Sequence, residues 1–244
     1  MAHILVTGST DGLGRASAES LLAQGHTVTL HARSRARAAA VSPLLERGAG
    51  LIVADLSNRN EVVEAVDQMN AGASLDAVIH NAGVISGAAV LPVNVVAPYL
   101  FTALLRTPTR HVYLSSSMHR GGRADLTGLD WTSGRATASY SDSKLLVTTL
   151  AAAIADRWAP NVVANSVDPG WVPTKMGGAS APDDFDLGHR TQDILATDAK
   201  SAISGGYWHH GRQERAAAAV TDPAFQAALL TALAITTNVE LPHR

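Results

Sequence analysis

The chain has 244 residues, 46% of them hydrophobic and 16% charged, with a formal net charge of -2. That much apolar material can bury one substantial core, which excludes a disordered chain and predicts one globular domain over residues 1–244. No block of Lys or Arg offers a footprint for nucleic acid, and the absence of cysteine excludes disulfides, thiol nucleophiles and thiolate metal sites.

In chain order, β-type runs at Ile4 to Thr7, Thr27 to His31, Leu51 to Ala54, Ala77 to Asn81, His111 to Ser115 and Val162 to Val167 alternate with helical patterns. The helices are expected at Leu13 to Ala23, Arg35 to Arg47, Glu61 to Met69, Val93 to Leu104 and Tyr140 to Trp158. Continuous apolar strands between helices predict an α/β fold, a doubly wound parallel sheet covered on both faces. Ligands in such sheets bind beyond the carboxyl ends of the strands. Two stretches read as irregular, 119–137 and 171–188; the second, with Gly177, Gly178 and Pro182, is expected to be a substrate lid. Ala216 to Ala219 reads as helix. The N-terminus lacks the pattern of a signal peptide, so the cytoplasm is the expected location. Ala88 to Leu105 approaches spanning length, but Pro92, Asn94 and Pro98 suit a buried helix better, so no membrane segment is expected.

The first strand runs into Thr7-Gly8-Ser9-Thr10-Asp11-Gly12-Leu13-Gly14 and then a helix. Gly8 permits a tight turn, Gly12 lets backbone approach a pyrophosphate, and Gly14 allows close helix packing. The helix N-terminus offers free amides to anionic oxygens. Strand, glycine trio and helix together predict a Rossmann-type dinucleotide site.

This spacing resembles the short-chain dehydrogenase/reductase family, and the resemblance continues downstream. It implies that Asp55-Leu56 contacts an adenine ring and that Asn81-Ala82-Gly83 forms a turn beside the cofactor; His80 stands where a further Asn is common. An N-cap or turn role for Asp55 is compatible with that contact. Where the second strand ends, Ala32 replaces the acid that would bind an unphosphorylated ribose, and Arg33 offers a fork that matches a phosphate. NADP(H) is therefore favoured over NAD(H), although Asp11 stands where a basic residue would help and Arg33, Arg35 and Arg37 also suit a solvated helix start.

Tyr140 and Lys144, four residues apart, share a helix face, so an ammonium beside the phenol is expected to lower its pKa towards working pH. The resemblance makes them the acid/base pair and places a substrate-orienting serine at Ser116, with Ser115 and Ser117 as alternatives. Asn94, the one strongly polar side chain in an apolar helix, needs an internal partner. It is either a relay member holding a water, as the resemblance implies, or a strut of the core. The catalytic set is then Asn94, Ser116, Tyr140 and Lys144. Pro169 and Gly170 resemble the turn against the nicotinamide; the resemblance implies that Val172 meets the carboxamide by backbone and that Thr174 contacts the carboxamide or pyrophosphate, with a cap on the next turn as the alternative role of its hydroxyl.

The long interval between Ser116 and Tyr140, with Gly205-Gly206-Tyr207-Trp208, resembles the branch of retinol dehydrogenases and protochlorophyllide reductases. Met118, Trp131, Trp171, Met176 and Trp208 are candidates for an apolar pocket. His209 and His210, neighbours on a strand, should face opposite ways and are not metal ligands. Ser116, His119 and Asp125 imitate a hydrolase triad on paper, but no nucleophile elbow surrounds the serine. The expected activity interconverts a small-molecule carbonyl, an apolar ketone or aldehyde, and its alcohol; the alternative is a non-catalytic dinucleotide sensor. The Tyr140 to Trp158 helix has an apolar face suited to a homo-oligomer or to the intrachain core.

Overall fold

In the computed structural model, which describes residues 1–198 and 203–244, the chain begins with β1 (His3–Val6), α1 (Gly12–Ala23) and β2 (Thr27–Ala32). Next come α2 (Arg35–Ala38), α3 (Ser42–Glu46), β3 (Gly50–Val53), α4 (Arg59–Ala71) and β4 (Ala77–His80). Then follow α5 (Ala97–Leu104), β5 (Arg110–Leu114), α6 (Tyr140–Arg157), β6 (Val163–Asp168) and α7 (Phe185–Thr197). The last elements are β7 (Tyr207–His209), β8 (Arg212–Glu214) and α8 (Pro223–Thr237). The strands form one sheet in the order β3-β2-β1-β4-β5-β6-β7-β8. Pairing is parallel from β3 through β7, and β8 closes the edge antiparallel.

Side-chain alternation divides the core. Leu5 and Val78 join Leu100, Leu146, Trp158 and Leu229 on one face, while Ile4, Val6 and Ile79 join Leu21, Val167 and Leu195 on the other. Burial on both faces is why the strands read as continuous apolar runs. The order reverses between β1 and β4, opening a crevice at the strands' carboxyl ends.

Each predicted strand is present with its ends moved by a residue or so, and every departure among the helices has a local cause. The helix expected over 35–47 breaks into α2, a 3-10 turn at Ala39–Val41 and α3. Pro43 has no N–H and would clash with the Ala39 carbonyl in a continuous helix. Upstream of α5, Pro92–Val96 form a π turn in which Ala97 N–H donates to the Pro92 carbonyl. Pro98 likewise cannot supply the α-helical donor to the Asn94 carbonyl.

Segment 171–188 is irregular only to Asp184, whose carboxylate accepts the Leu187 N–H at 2.9 Å and caps α7. The alanines at 216–219 give a 3-10 turn, Ala218–Thr221, and the helix that follows starts at Pro223 under an Asp222 cap. The apolar surface of α6, buried from Asp142 to Ala155, is covered within the chain by β5, β6, α8 and the adjoining turns. Of the two roles open to this face, the intrachain core accounts for the part that is buried. No helix among the described residues is long and apolar enough to cross a membrane.

Candidate active site

A cleft of about 560 Å³ lies over the carboxyl ends of β1, β2, β4, β5 and β6. Its floor is the glycine loop. Gly8 has φ +67°, and a side chain there would come within 2.9 Å of the Ala82 backbone. A Cβ on Gly14 would lie 2.3 Å from Asn81 Nδ2 and 2.6 Å from the Gly8 carbonyl, so its role is close packing rather than lining. Asn81 Nδ2 donates to the Thr7 carbonyl at 2.8 Å and the Ala82 N–H donates to Thr7 Oγ1 at 3.0 Å, which locks the loops after β1 and β4 together. His31 braces the loop from β2: Gly8 N–H donates to its Nδ1 at 2.9 Å, and its Nε2 donates to the Ala54 carbonyl at 2.9 Å. Burial holds this imidazole below its ordinary pKa, consistent with the neutral tautomer the two bonds require.

The residues present fit a dinucleotide. Gly8, Gly12 and Leu13 border the cleft where α1 begins, and the N-terminal end of a helix favours anionic oxygens. Gly12, Leu13, Leu56, Ala82, Gly83, Pro169 and Thr174 all border the cleft. Asp55 also borders it while accepting the Ser57 N–H at 2.9 Å, so the turn role and a cleft-facing position coexist.

Charge around the cleft differs from the expectation. Asp11 accepts its neighbour Gly12 N–H at 2.9 Å, meets Arg37 at 3.4 Å and pairs with Lys175. The Lys175 bond holds the Asp11 carboxyl below its usual pKa. Instead of opposing a phosphate, Asp11 gathers two cations at the rim. Arg33 and Arg37, four residues apart, both reach the cleft, and Arg35 does not line it.

The other end of the cleft is organised by the start of α6. Ser139 and Asp142 form a capping box, and Arg123 holds Asp142 through its N–H at 2.8 Å and its guanidinium at 3.1 Å. Burial alone would raise the Asp142 carboxyl, yet these donors take it down to about 2. So pinned, α6 presents Tyr140 to the cleft, near enough to Ser116 for that hydroxyl to pull its phenol pKa down. Ser116 Oγ also accepts the Met118 N–H at 3.2 Å. Ser115 is tied to Thr148 at 2.5 Å and Ser117 is exposed, so of the three serines Ser116 is the one that reaches Tyr140.

Lys144 is buried, donates to the Leu114 carbonyl at 2.7 Å and lies 5.3 Å from the centre of the Tyr140 ring. Burial takes its ammonium down to about 8, with the Asp168 charge acting the other way. Burial, then Asp168, push the Tyr140 phenol up to about 12 against the Ser116 hydrogen bond. The lowered phenol expected from the spacing is not found: Lys144 sits by the ring and spends a proton on Leu114, leaving desolvation dominant.

Asn94 acts as a clamp. Its Oδ1 accepts the Val84 N–H and its Nδ2 donates to the Val84 carbonyl and to Ser143 Oγ, each at 2.9 Å. This draws Gly83 against Asn94 and Lys144, where a Cβ would approach Lys144 Nζ to 3.7 Å.

A short chain dehydrogenase sequence profile matches residues 2–104. A short-chain dehydrogenase of Penicillium rubens, chyC, is 38% identical over 85% of this chain and 86% of its own length. Another of Gibberella zeae, chry4, is 36% identical over 99% of both. The chain belongs to the short-chain dehydrogenase family. It is accordingly an oxidoreductase of a family that binds NAD(P). The crystal structure of a protein from Mycobacterium paratuberculosis shares the fold, with a TM-score of 0.82 at 24% identity over 99% of this chain and 95% of that one.

Within this family fold, some expected site residues lie elsewhere. Ser9 is fully buried and its hydroxyl accepts the His31 N–H at 2.9 Å, so it ties β1 to β2 and does not line the cleft. Val172 is buried too, and its carbonyl accepts the Thr174 N–H at 2.8 Å. Trp131 lines a separate cavity of about 330 Å³, and Trp208 turns its indole N–H to Asn165 at 3.2 Å. The rings of His209 and His210 stack at 3.9 Å, contrary to strand alternation, because His210 sits in the hairpin turn with φ +43°. Sequence reasoning missed His31, Arg37, Lys175 and Asp168. The acid in Asp168-Pro169-Gly170 was the available signal for the last, and the basic run from Arg33 was the signal for Arg37; His31 and Lys175 carried none.

Proposed function

We propose that this short-chain dehydrogenase reduces apolar ketones or aldehydes with NADPH, and oxidises the corresponding alcohols in reverse. The observation that carries the reading is that Tyr140 and the buried Lys144, 5.3 Å from its ring centre, line the same cleft as the glycine loop, with Ser116 close by.

A bound nicotinamide dinucleotide supplies the hydride, and every proton belongs to the chain. Ser116 holds the substrate oxygen, and Tyr140 donates its phenolic proton to that oxygen as negative charge develops there. Lys144 stabilises the resulting phenolate from its place beside the ring. Asn94 fixes the loop of Gly83 and Val84 against α6 and, as the resemblance implies, holds a water that returns a proton through Lys144.

Arg33, Arg37 and Lys175 support NADP(H) over NAD(H), since all three border the cleft and a 2′-phosphate would meet cations there. The loops after β4, β5 and β6 expose Ile85, Met118, Trp171 and Met176, large apolar side chains that suit an apolar substrate.

The test is NADPH and NADH consumption over a panel of aldehydes, ketones and quinones, with a folded Tyr140→Phe protein beside the wild type. The reading requires turnover by the wild type and its loss in Tyr140→Phe. Equal activity in the two proteins would remove Tyr140 from its role, and cofactor binding without any turnover would support the sensor instead.

A further inference from the structure

We propose that Asp168 is the counter-ion of the Lys144–Tyr140 pair, a positioning residue that keeps the buried Lys144 ammonium charged and thereby sets the pH range in which Tyr140 exchanges its proton. The inference rests on the acid/base reading of those two residues.

The argument starts from Lys144. The residue is 4% exposed, and the hydrogen bond its ammonium makes is to a neutral carbonyl, that of Leu114. A buried charge without an opposite charge is costly enough that the group would shed its proton. Leu114 pairs with Val167 in the register of β5 and β6, and the residue after Val167 is Asp168. Asp168, also 4% exposed, thus stands on the neighbouring strand one residue beyond the partner of Leu114, whose carbonyl Lys144 holds.

Asp168 is built to stay there. Tyr207 donates its hydroxyl to Oδ2 at 2.9 Å from the adjacent strand β7, and the Gly170 N–H donates to Oδ1 at 3.0 Å. The remaining ionisable groups around it are engaged. His209 Nδ1 lies 3.6 Å from Oδ2 and also faces the Asp168 carbonyl at 3.3 Å. His119, in the turn after β5, is held between the Ser116 carbonyl at 2.7 Å and the Ala217 N–H at 3.0 Å. Arg120 reaches the Tyr207 hydroxyl at 3.5 Å but is paired with Glu214 at 3.2 Å. From α6, Tyr140 and Lys144 are the groups that feel the Asp168 charge. Removing a negative charge lowers the pKa of every group it faces, so both should move together towards acid.

The experiment reads Lys144 directly and needs no turnover. Lys144, Lys175 and Lys200 are the lysines of the chain, so ¹³Cε-lysine NMR resolves each, with Lys144→Arg assigning the resonance. In Asp168→Asn the Lys144 midpoint should fall by about 1 pH unit or more from the wild-type value, and Asp168→Glu should restore most of it. If the amide of Asn clashes with the Gly170 N–H and the variant does not fold, Asp168→Ser removes the charge while leaving room for water. A midpoint within about 0.3 pH unit of wild type in a folded neutral variant overturns the proposal, whatever the enzyme's activity. With a working substrate, both limbs of the kcat/KM profile should move to lower pH in the neutral variant. A failure of the hydride-transfer reading would show instead as no turnover by the wild type, with the titration unaffected.

Discussion

Lys175, in the loop after β6, forms an ion pair with Asp11 in the glycine loop, joining the two rims of the cleft. The same carboxylate takes Arg37 at 3.4 Å, and Thr174 packs beside Gly12. The segment expected to be a lid is therefore fastened to the loop that cradles the phosphates. Both side chains are solvent-exposed, so the pair should add only ~0–1 kcal/mol to stability. Its effect belongs to the cofactor. Lys175→Ala should leave the unfolding midpoint nearly unchanged while raising the NADPH dissociation rate several-fold, and the difference should shrink at high salt. Stopped-flow release of NADPH at two ionic strengths checks this; identical rates would mean that the pair does not restrain the rim.

Arg33 and Arg37 line the cleft and Arg35 does not, which gives a selective prediction. Arg33→Ala and Arg37→Ala should each raise the KM for NADPH by about tenfold with little change for NADH, the scale of one lost charge-assisted contact. Arg35→Ala should leave the ratio of the two KM values unaltered.

Ser115 and Ser116 should separate cleanly. Ser116→Ala removes the hydroxyl facing Tyr140 and should reduce kcat by roughly 10²-fold with stability intact. Ser115→Ala breaks the buried bond to Thr148 and should cost about 1 kcal/mol of stability, read by denaturant unfolding, with a much smaller effect on kcat.

Acid should destabilise the fold through two buried histidines. His80 and His111 stack in the core with Nε2 of the first 3.1 Å from Nδ1 of the second. Burial drives His111 from 6.5 to about 3 and takes His80 well below its ordinary value. The unfolded chain thus binds more protons than the native one between these limits, so the neutral pair costs nothing above pH 6.5 and stability falls as pH drops from there towards 3. Each histidine contributes a slope of up to about 1.4 kcal/mol per pH unit. His80→Asn should flatten the dependence of the urea midpoint on pH in that window; an unchanged slope would exclude His80 as a contributor.

The spacing of the glycines was legible because a tight turn followed by a helix imposes needs on neighbouring backbone. Gly8 does take a positive φ, and Gly14 does admit no Cβ. Tyr140 and Lys144 were legible for a similar reason, since helical geometry alone puts residues four apart on one face. Ser9 was misread because it lies in the loop whose pattern is diagnostic, yet its hydroxyl points into the sheet to His31. The irregular reading of 171–188 failed from Phe185 onward, where an Asp184 cap starts a helix that Gly188 does not interrupt.

By itself, then, the sequence determined the alternation of strands and helices, the cradle at the first turn and the pairing of Tyr140 with Lys144. These depend on periodicity and on backbone needs within a few residues. Only the tertiary structure decided how the polar groups are partnered: Asp11 with Lys175, Asp168 with Tyr207, His31 between Gly8 and Ala54. It also decided that burial, rather than the neighbouring ammonium, governs the Tyr140 phenol. Coulomb and desolvation energies depend on distances between segments remote in the chain, and the folded sheet alone sets those distances.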